Sequence, residues 1–128
     1  MRAIATLWLA GILLLNAGCA SFLPSETRFY FEGDYSGLKQ VMEQRIHTLD
    51  SANITDLYFL CGAYSNLKEY DKLFPCLDQM ERNIRKGDKF FSLFPESGKP
   101  NPLFYFDISP YPSQTRAQAY IELSNLQG

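Results

Sequence analysis

The sequence predicts an all-α fold, a short array of antiparallel helices. Between residues 34 and 86, apolar side chains recur at spacings of three and four, the period of a helix with one buried face. Turn and cap residues separate these stretches: Gly33-Asp34, Asp50 to Asn53, Lys68-Glu69 and Gly87. A composition of 46% hydrophobic and 15% aromatic residues supplies enough apolar matter for a core. The net charge of −2 excludes binders of the nucleic-acid class, which need an excess of positive charge over phosphate.

The first element is an export signal. Arg2 is the only charge before Glu26, and residues 3–15 form an apolar run. That run is shorter than the roughly 20 residues a spanning helix needs and suits the h-region of a signal peptide. Asn16-Ala17-Gly18-Cys19 follows, small residues directly before a cysteine. This run resembles the lipobox of bacterial lipoproteins. The resemblance implies cleavage after Gly18, lipid attachment at Cys19 and residence as a lipid-anchored protein. Ala20 is not the Asp that resembles an inner-membrane retention signal, so the expected address is the outer membrane, facing the periplasm. Residues 1–18 are then the signal peptide, 19–32 a lipidated tether and 33–128 the helical domain.

Gly33-Asp34 opens the first helical pattern, with Tyr35, Leu38, Val41, Met42, Ile46 and Leu49 on one face. His47 falls on its surface. Asn53 is a good N-cap for the next helix, with Asp56 in its first turn. Ile54, Leu57, Tyr58, Leu60, Cys61, Tyr64 and Leu67 make that helix apolar. After Lys68-Glu69 a third helix carries Tyr70, Leu73, Leu77, Met80 and Ile84 on a stripe. A kink is expected at Pro75, which lacks an N–H and crowds the carbonyl of Asp71. Arg82, Arg85 and Lys86 complement the dipole of its last turns, and Gly87 stops it. Ser113 is the expected cap of a last helix with Ala117, Ala119, Tyr120 and Leu123.

Two patterns recur. Gly33-Asp34-Tyr35 and Leu38 are echoed by Lys68-Glu69-Tyr70 and Leu73. Ala63-Tyr64 and Leu67 are echoed by Ala119-Tyr120 and Leu123. The first echo lies close to the period of about 34 residues of the tetratricopeptide family. Leu57, Leu60, Cys61, Tyr64, Leu67, Tyr70, Leu73, Leu77 and Met80 resemble one such repeat, which implies stacked helical hairpins that bind peptides or proteins. The second echo is longer than one period, and the excess falls in an insert at residues 87–111. The insert holds seven aromatic residues, four prolines and two glycines. Its stretch Leu103 to Ile108 is a candidate short strand. Two readings fit: Phe90, Phe91, Phe94, Phe104 and Phe106 plug the side of a short solenoid, or they form a hook for a partner. The plug is preferred, with Phe104 and Phe106 expected to be buried, because exposed aromatics are costly. Gly128 falls where the pairing helix of a further hairpin should begin. A partner is therefore expected at this end, or a longer chain.

The residues assign no catalytic site, no metal and no small-molecule cofactor. GxGxxG and P-loop motifs are absent, and the one His and three Cys show no zinc-ligand spacing. Cys61 and Cys76 lie equally far from the turn at 68–69, so antiparallel helices hold them at one height. A disulfide and two reduced, packed thiols both fit; an exported domain is in an oxidising compartment. The candidate partner-binding face comprises Tyr58, Ser65 and Asn66 on one helix and Gln114, Gln118 and Glu122 on the last. The resulting expectation is a membrane-anchored, periplasm-facing interaction lipoprotein. Its partners are membrane lipid through acylated Cys19 and a protein or peptide. The alternatives are the N-terminal repeat region of a larger exported enzyme, and a pilot or assembly subunit of an outer-membrane machine.

Overall fold

The computed structural model describes residues 25–92 and 105–127. It is an all-α fold carrying one small sheet. The elements are α1 (Ser25–Glu32), α2 (Tyr35–Arg45), a 3-10 turn (Leu49–Ser51), α3 (Ile54–Asn66), α4 (Tyr70–Arg85), β1 (Phe90–Ser92), β2 (Tyr105–Asp107) and α5 (Tyr111–Gln127). Cys19, Phe94 and Phe104 lie outside the described residues.

The helices form two hairpins, α1/α2 and α3/α4, against which α5 leans. The recurring Gly33-Asp34-Tyr35 and Lys68-Glu69-Tyr70 are the two hairpin turns. Each needs one left-handed residue, Gly33 at φ 72° and Lys68 at φ 61°. Glycine adopts that region at no steric cost, whereas Lys68 does so against its Cβ. Asp34 then caps α2, accepting from the Gly37 N–H at 3.0 Å. Four residues beyond each acidic residue, Leu38 and Leu73 are fully buried.

α1 corrects the expectation of a tether through residue 32. Ser25 followed by Glu26 is an ordinary helix start, and Phe29 and Tyr30 pack on the core. What holds the start of α1 is polar. The buried Glu26 carboxylate accepts two hydrogen bonds from the Arg45 guanidinium, at 2.9 and 3.0 Å. Arg45 also lies 3.5 Å from Asp56, so α1, α2 and α3 meet there. Burial by itself raises the Glu26 pKa, but the Arg45 hydrogen bonds and charge win and hold it below the usual 4.5. Asp56 is raised by burial, only partly offset by Arg45.

α2 ends at Arg45, short of the expected residue 49. Ile46 is extended, and Ile46 and Leu49 reach the core from outside the helix. His47 is exposed in the bend between them. α3 has two caps. Asn53 accepts from the Asp56 N–H at 2.9 Å, and Asp88, from beyond α4, accepts from the Ile54 N–H at 3.0 Å. α4 runs unbroken across Pro75. Gly87, at φ 98°, turns the chain out of α4 while the Asp88 N–H bonds back to the Asn83 carbonyl at 2.9 Å.

The core sits between α2, α3 and α4, with Leu38, Met42, Leu57, Phe59, Leu73, Leu77 and Met80 fully buried. Cys61 and Cys76 are bonded inside it, their Cα atoms 5.8 Å apart. The insert contributes the antiparallel pair β1/β2, in the register Phe90↔Asp107, Phe91↔Phe106 and Ser92↔Tyr105. Phe91 and Ile108 are buried, whereas Phe106 remains 48% exposed, against the expectation for the plug. The paired positions Phe91 and Phe106 share a side of the ribbon. Phe91 meets Tyr58 and Phe59, and no such ring contact is formed by Phe106 among the described residues.

Candidate interaction surface

The six residues expected to form one binding face do not do so. Tyr58 is enclosed: its ring centroid lies 4.2 Å from Phe91 and 4.9 Å from Tyr111, and its hydroxyl is 3.1 Å from that of Tyr30. Burial, with the Tyr30 contact second, pushes the Tyr58 pKa up. Burial also takes Tyr111 up to about 12, so both rings stay neutral and act as packing. Further along the same face of α3, Gly62 lies beneath Tyr30 and the Tyr111 hydroxyl. Ser65 is half-buried, and Asn66 is exposed with its amide donating to the Gly62 carbonyl at 2.8 Å.

On α5, Gln114 and Gln118 are exposed, but Glu122 turns inward. It accepts from Lys68 Nζ at 2.8 Å and from the Tyr70 hydroxyl, tying α5 to the α3–α4 turn. Those bonds lower its pKa to about 2. The sequence reading failed here because α1 and the insert cover the face of α3 that a bare array leaves open.

The surface that the structure does leave open is the outer side of α5. Its inner side is fixed to α4 by Ala119, by Phe74 stacked on Tyr120 at 5.2 Å, and by Arg116. Arg116 donates to Asp78 at 2.8 Å and to Glu81 at 3.0 Å. α5 starts at Tyr111, before the expected cap; Ser113 instead donates to the Pro110 carbonyl from within the helix. Towards its end Tyr120 and Ile121 are each 55% exposed, and Leu126 is 78% exposed. A cleft of about 360 Å³ lined by Lys68, Tyr70, Glu122, Asn125 and Leu126 opens beside the helix end.

A second cleft, also about 360 Å³, runs past Glu43, His47, Tyr64, Asp71, Lys72 and Pro75. The Tyr64 hydroxyl donates to Glu43 at 2.8 Å, and Lys72 sits 3.8 Å from the same carboxylate. This is a hydrogen-bonded ion-pair network across three helices, and the cleft lining includes no Ser or Cys nucleophile. Among the described residues, no three His, Cys, Asp or Glu side chains converge as metal ligands do. None of the described helices is long and apolar enough to cross a membrane. Comparison with family models, curated proteins and solved structures yields no match.

Proposed function

We propose that this protein is a lipid-anchored interaction module: tethered through acylated Cys19 to the outer membrane, facing the periplasm, and binding a protein or peptide without catalysis of its own. The hairpins belong with the tetratricopeptide-like arrays in this reading. The observation that carries the reading is the carboxy-terminal half of α5. Ile121 is exposed on its outer side, Tyr120 keeps one ring face open beside Phe74, and Leu126 is exposed near the helix end at the cleft against the α3–α4 turn. Isolated exposed apolar residues are ordinary, but three on the last turns of one helix beside a cleft mark a candidate interface. The face moves accordingly from Tyr58, Ser65 and Asn66 to the α5 side that keeps Gln114 and Gln118 at its edge.

The test has two arms. Mass spectrometry of the mature protein should find an acylated Cys19 at the N-terminus; an unmodified N-terminus at Ala20 or beyond removes the anchor from the reading. A photo-crosslinking residue at position 121 should capture a discrete partner in intact cells, and Leu126→Asp should abolish that adduct while leaving the melting temperature in place. An adduct indifferent to Leu126→Asp would place binding elsewhere.

A further inference from the structure

The two ends of the helical array differ in charge: exposed basic side chains cluster at the end that carries the start of α1, where they balance its acids, and the acidic excess lies at the other end. One pole gathers the start of α1, the end of α2, the start of α3 and the end of α4. The bonds that join them are Glu26 to Arg45, Arg45 to Asp56, and Asp88 to the Ile54 N–H. The Asn83 amide adds a 3.0 Å bond to the Ala52 carbonyl. Arg82, Arg85 and Lys86 project at this pole, all exposed. Lys89 follows, with Phe90 beside it, 46% exposed, its ring 5.6 Å from the Lys89 ammonium.

Most acids here are already committed. Glu26 and Asp56 pair with Arg45, Asp88 serves the start of α3, and Asp107 accepts from the Ser109 N–H at 2.9 Å and lies 3.9 Å from Lys89. Asp50, Asp88 and Asp107 are exposed here among the described residues, beside the exposed Arg82, Arg85 and Lys86. The opposite pole, formed by the two hairpin turns and the end of α5, exposes Glu32, Asp34 and Asp71 beside Lys68 and Lys72, which pair with Glu122 and with Glu43 and Glu69.

We infer that the basic pole, Arg85 and Lys86 with Phe90, is a docking surface for an anionic phospholipid bilayer. The inference rests on the lipid anchor proposed above and deepens it. Because α1 begins at Ser25, the leash from Cys19 spans at most about 20 Å. The 16 residues of α4 set the two poles about 24 Å apart. Seating the acidic pole on the bilayer draws the leash taut and brings carboxylates against anionic headgroups. Seating the basic pole leaves the leash slack and gives each cation about 1 kcal/mol of attraction near the surface. A half-exposed phenylalanine beside Lys89 suits the headgroup boundary, where an apolar ring and a basic side chain are both satisfied. With this pole down, the end of α5 with Ile121 and Leu126 points away from the membrane, towards a partner.

The mature chain has no tryptophan once Trp8 leaves with the signal peptide, so single probes report without background. Phe90→Trp and Tyr120→Trp would be introduced separately into the lipidated protein, after mass spectrometry of each has verified the acyl chains. Each would be reconstituted into vesicles of phosphatidylglycerol and phosphatidylethanolamine with brominated acyl chains. Quenching should be strong at position 90 and weak at position 120. Arg85→Ser with Lys86→Ser should weaken the docked arrangement by about 30-fold, the equivalent of about 1 kcal/mol per charge. Phosphatidylcholine vesicles should weaken it similarly. Equal quenching at the two positions, or quenching at 90 unchanged by loss of both charges, overturns the docking surface while leaving the anchor intact. Protein without acyl chains refutes the anchor itself.

Discussion

The same short pattern, alanine followed by tyrosine, sits on α3 and on α5, and the two copies have different fates. Ala63 and Ala119 are both buried, each letting a neighbouring helix approach closely. Tyr64 is 7% exposed, covered by α2, and its hydroxyl finds Glu43. Tyr120 is 55% exposed, with one ring face on Phe74 and no helix over the other among the described residues. A repeat motif therefore encodes a contact only with the neighbours it has. The inner half of the pattern is satisfied within α4 and α5, and the outer half needs another element. This contrast separates the packed hairpin α3/α4 from the half-packed helix α5.

Truncating the buried side should break the molecule, and truncating the open side should not. Leu77→Ala is expected to cost about 2–5 kcal/mol and Phe91→Ala about 3–5 kcal/mol, a large share of a domain's stability of about 5–15 kcal/mol. Ile121→Ala and Phe106→Ala should stay within about 0.5 kcal/mol of wild type. Urea denaturation of the four variants decides it, and a costly Ile121→Ala would show that α5 is packed on both sides.

The disulfide is the next largest difference, since α3 and α4 are cross-linked and α5 is held by side-chain contacts alone. The bridge spans 15 residues in sequence. Its loss through Cys61→Ala with Cys76→Ala should cost about 3 kcal/mol on the chain-entropy account, beyond any packing change. Non-reducing peptide mapping should recover the linked peptides. If both thiols alkylate after denaturation without reductant, the two cysteines are a packed pair and not a bond.

A smaller effect is expected at Arg45, which pins α1. Removing one partner of a buried ion pair costs about 3–5 kcal/mol, but Arg45 is itself 38% exposed, so solvent reduces this to roughly 2 kcal/mol. The pH dependence has a definite sign. Glu26 titrates below its ordinary 4.5 in the folded state, so its contribution is complete above that value and disappears as the pH falls through the folded pKa. Asp56, raised by burial, acts in the opposite sense and flattens the curve. Acid titration of Arg45→Met should lose the Glu26 step. An unaltered acid limb would mean that Glu26 does not carry it.

Much of the helical framework was legible because its signals are local. Asn53 caps a helix with its side chain, Lys68-Glu69 interrupts the apolar period, Gly87 takes a left-handed conformation, and the Leu38 and Leu73 echo locates the two hairpins. The misreadings share a cause. The segment 25–32 has few aliphatic residues, and its decisive interaction is a buried carboxylate whose partner lies on another helix. Tyr58 carries no mark that distinguishes a ring facing solvent from one facing Phe91 and Tyr111. Phe91 and Phe106 are the same residue type in paired strands, and their burial differs with what lies beneath each.

What the sequence by itself determined is the order of helices and turns from Asp34 to Gly87 and the equal height of Cys61 and Cys76 on their antiparallel helices. These depend on spacing along the chain, where the helical period and the turn residues act over a few positions. Only the tertiary structure decided that Ser25–Glu32 is a helix packed on the core, that Tyr58 packs against Phe91 and Tyr111 while Tyr120 is open, and that Arg85 and Lys86 share a pole with the start of α1. Those outcomes follow from which surfaces meet across the fold. A side chain's exposure, and the charge of a pole, are sums over residues far apart in the chain.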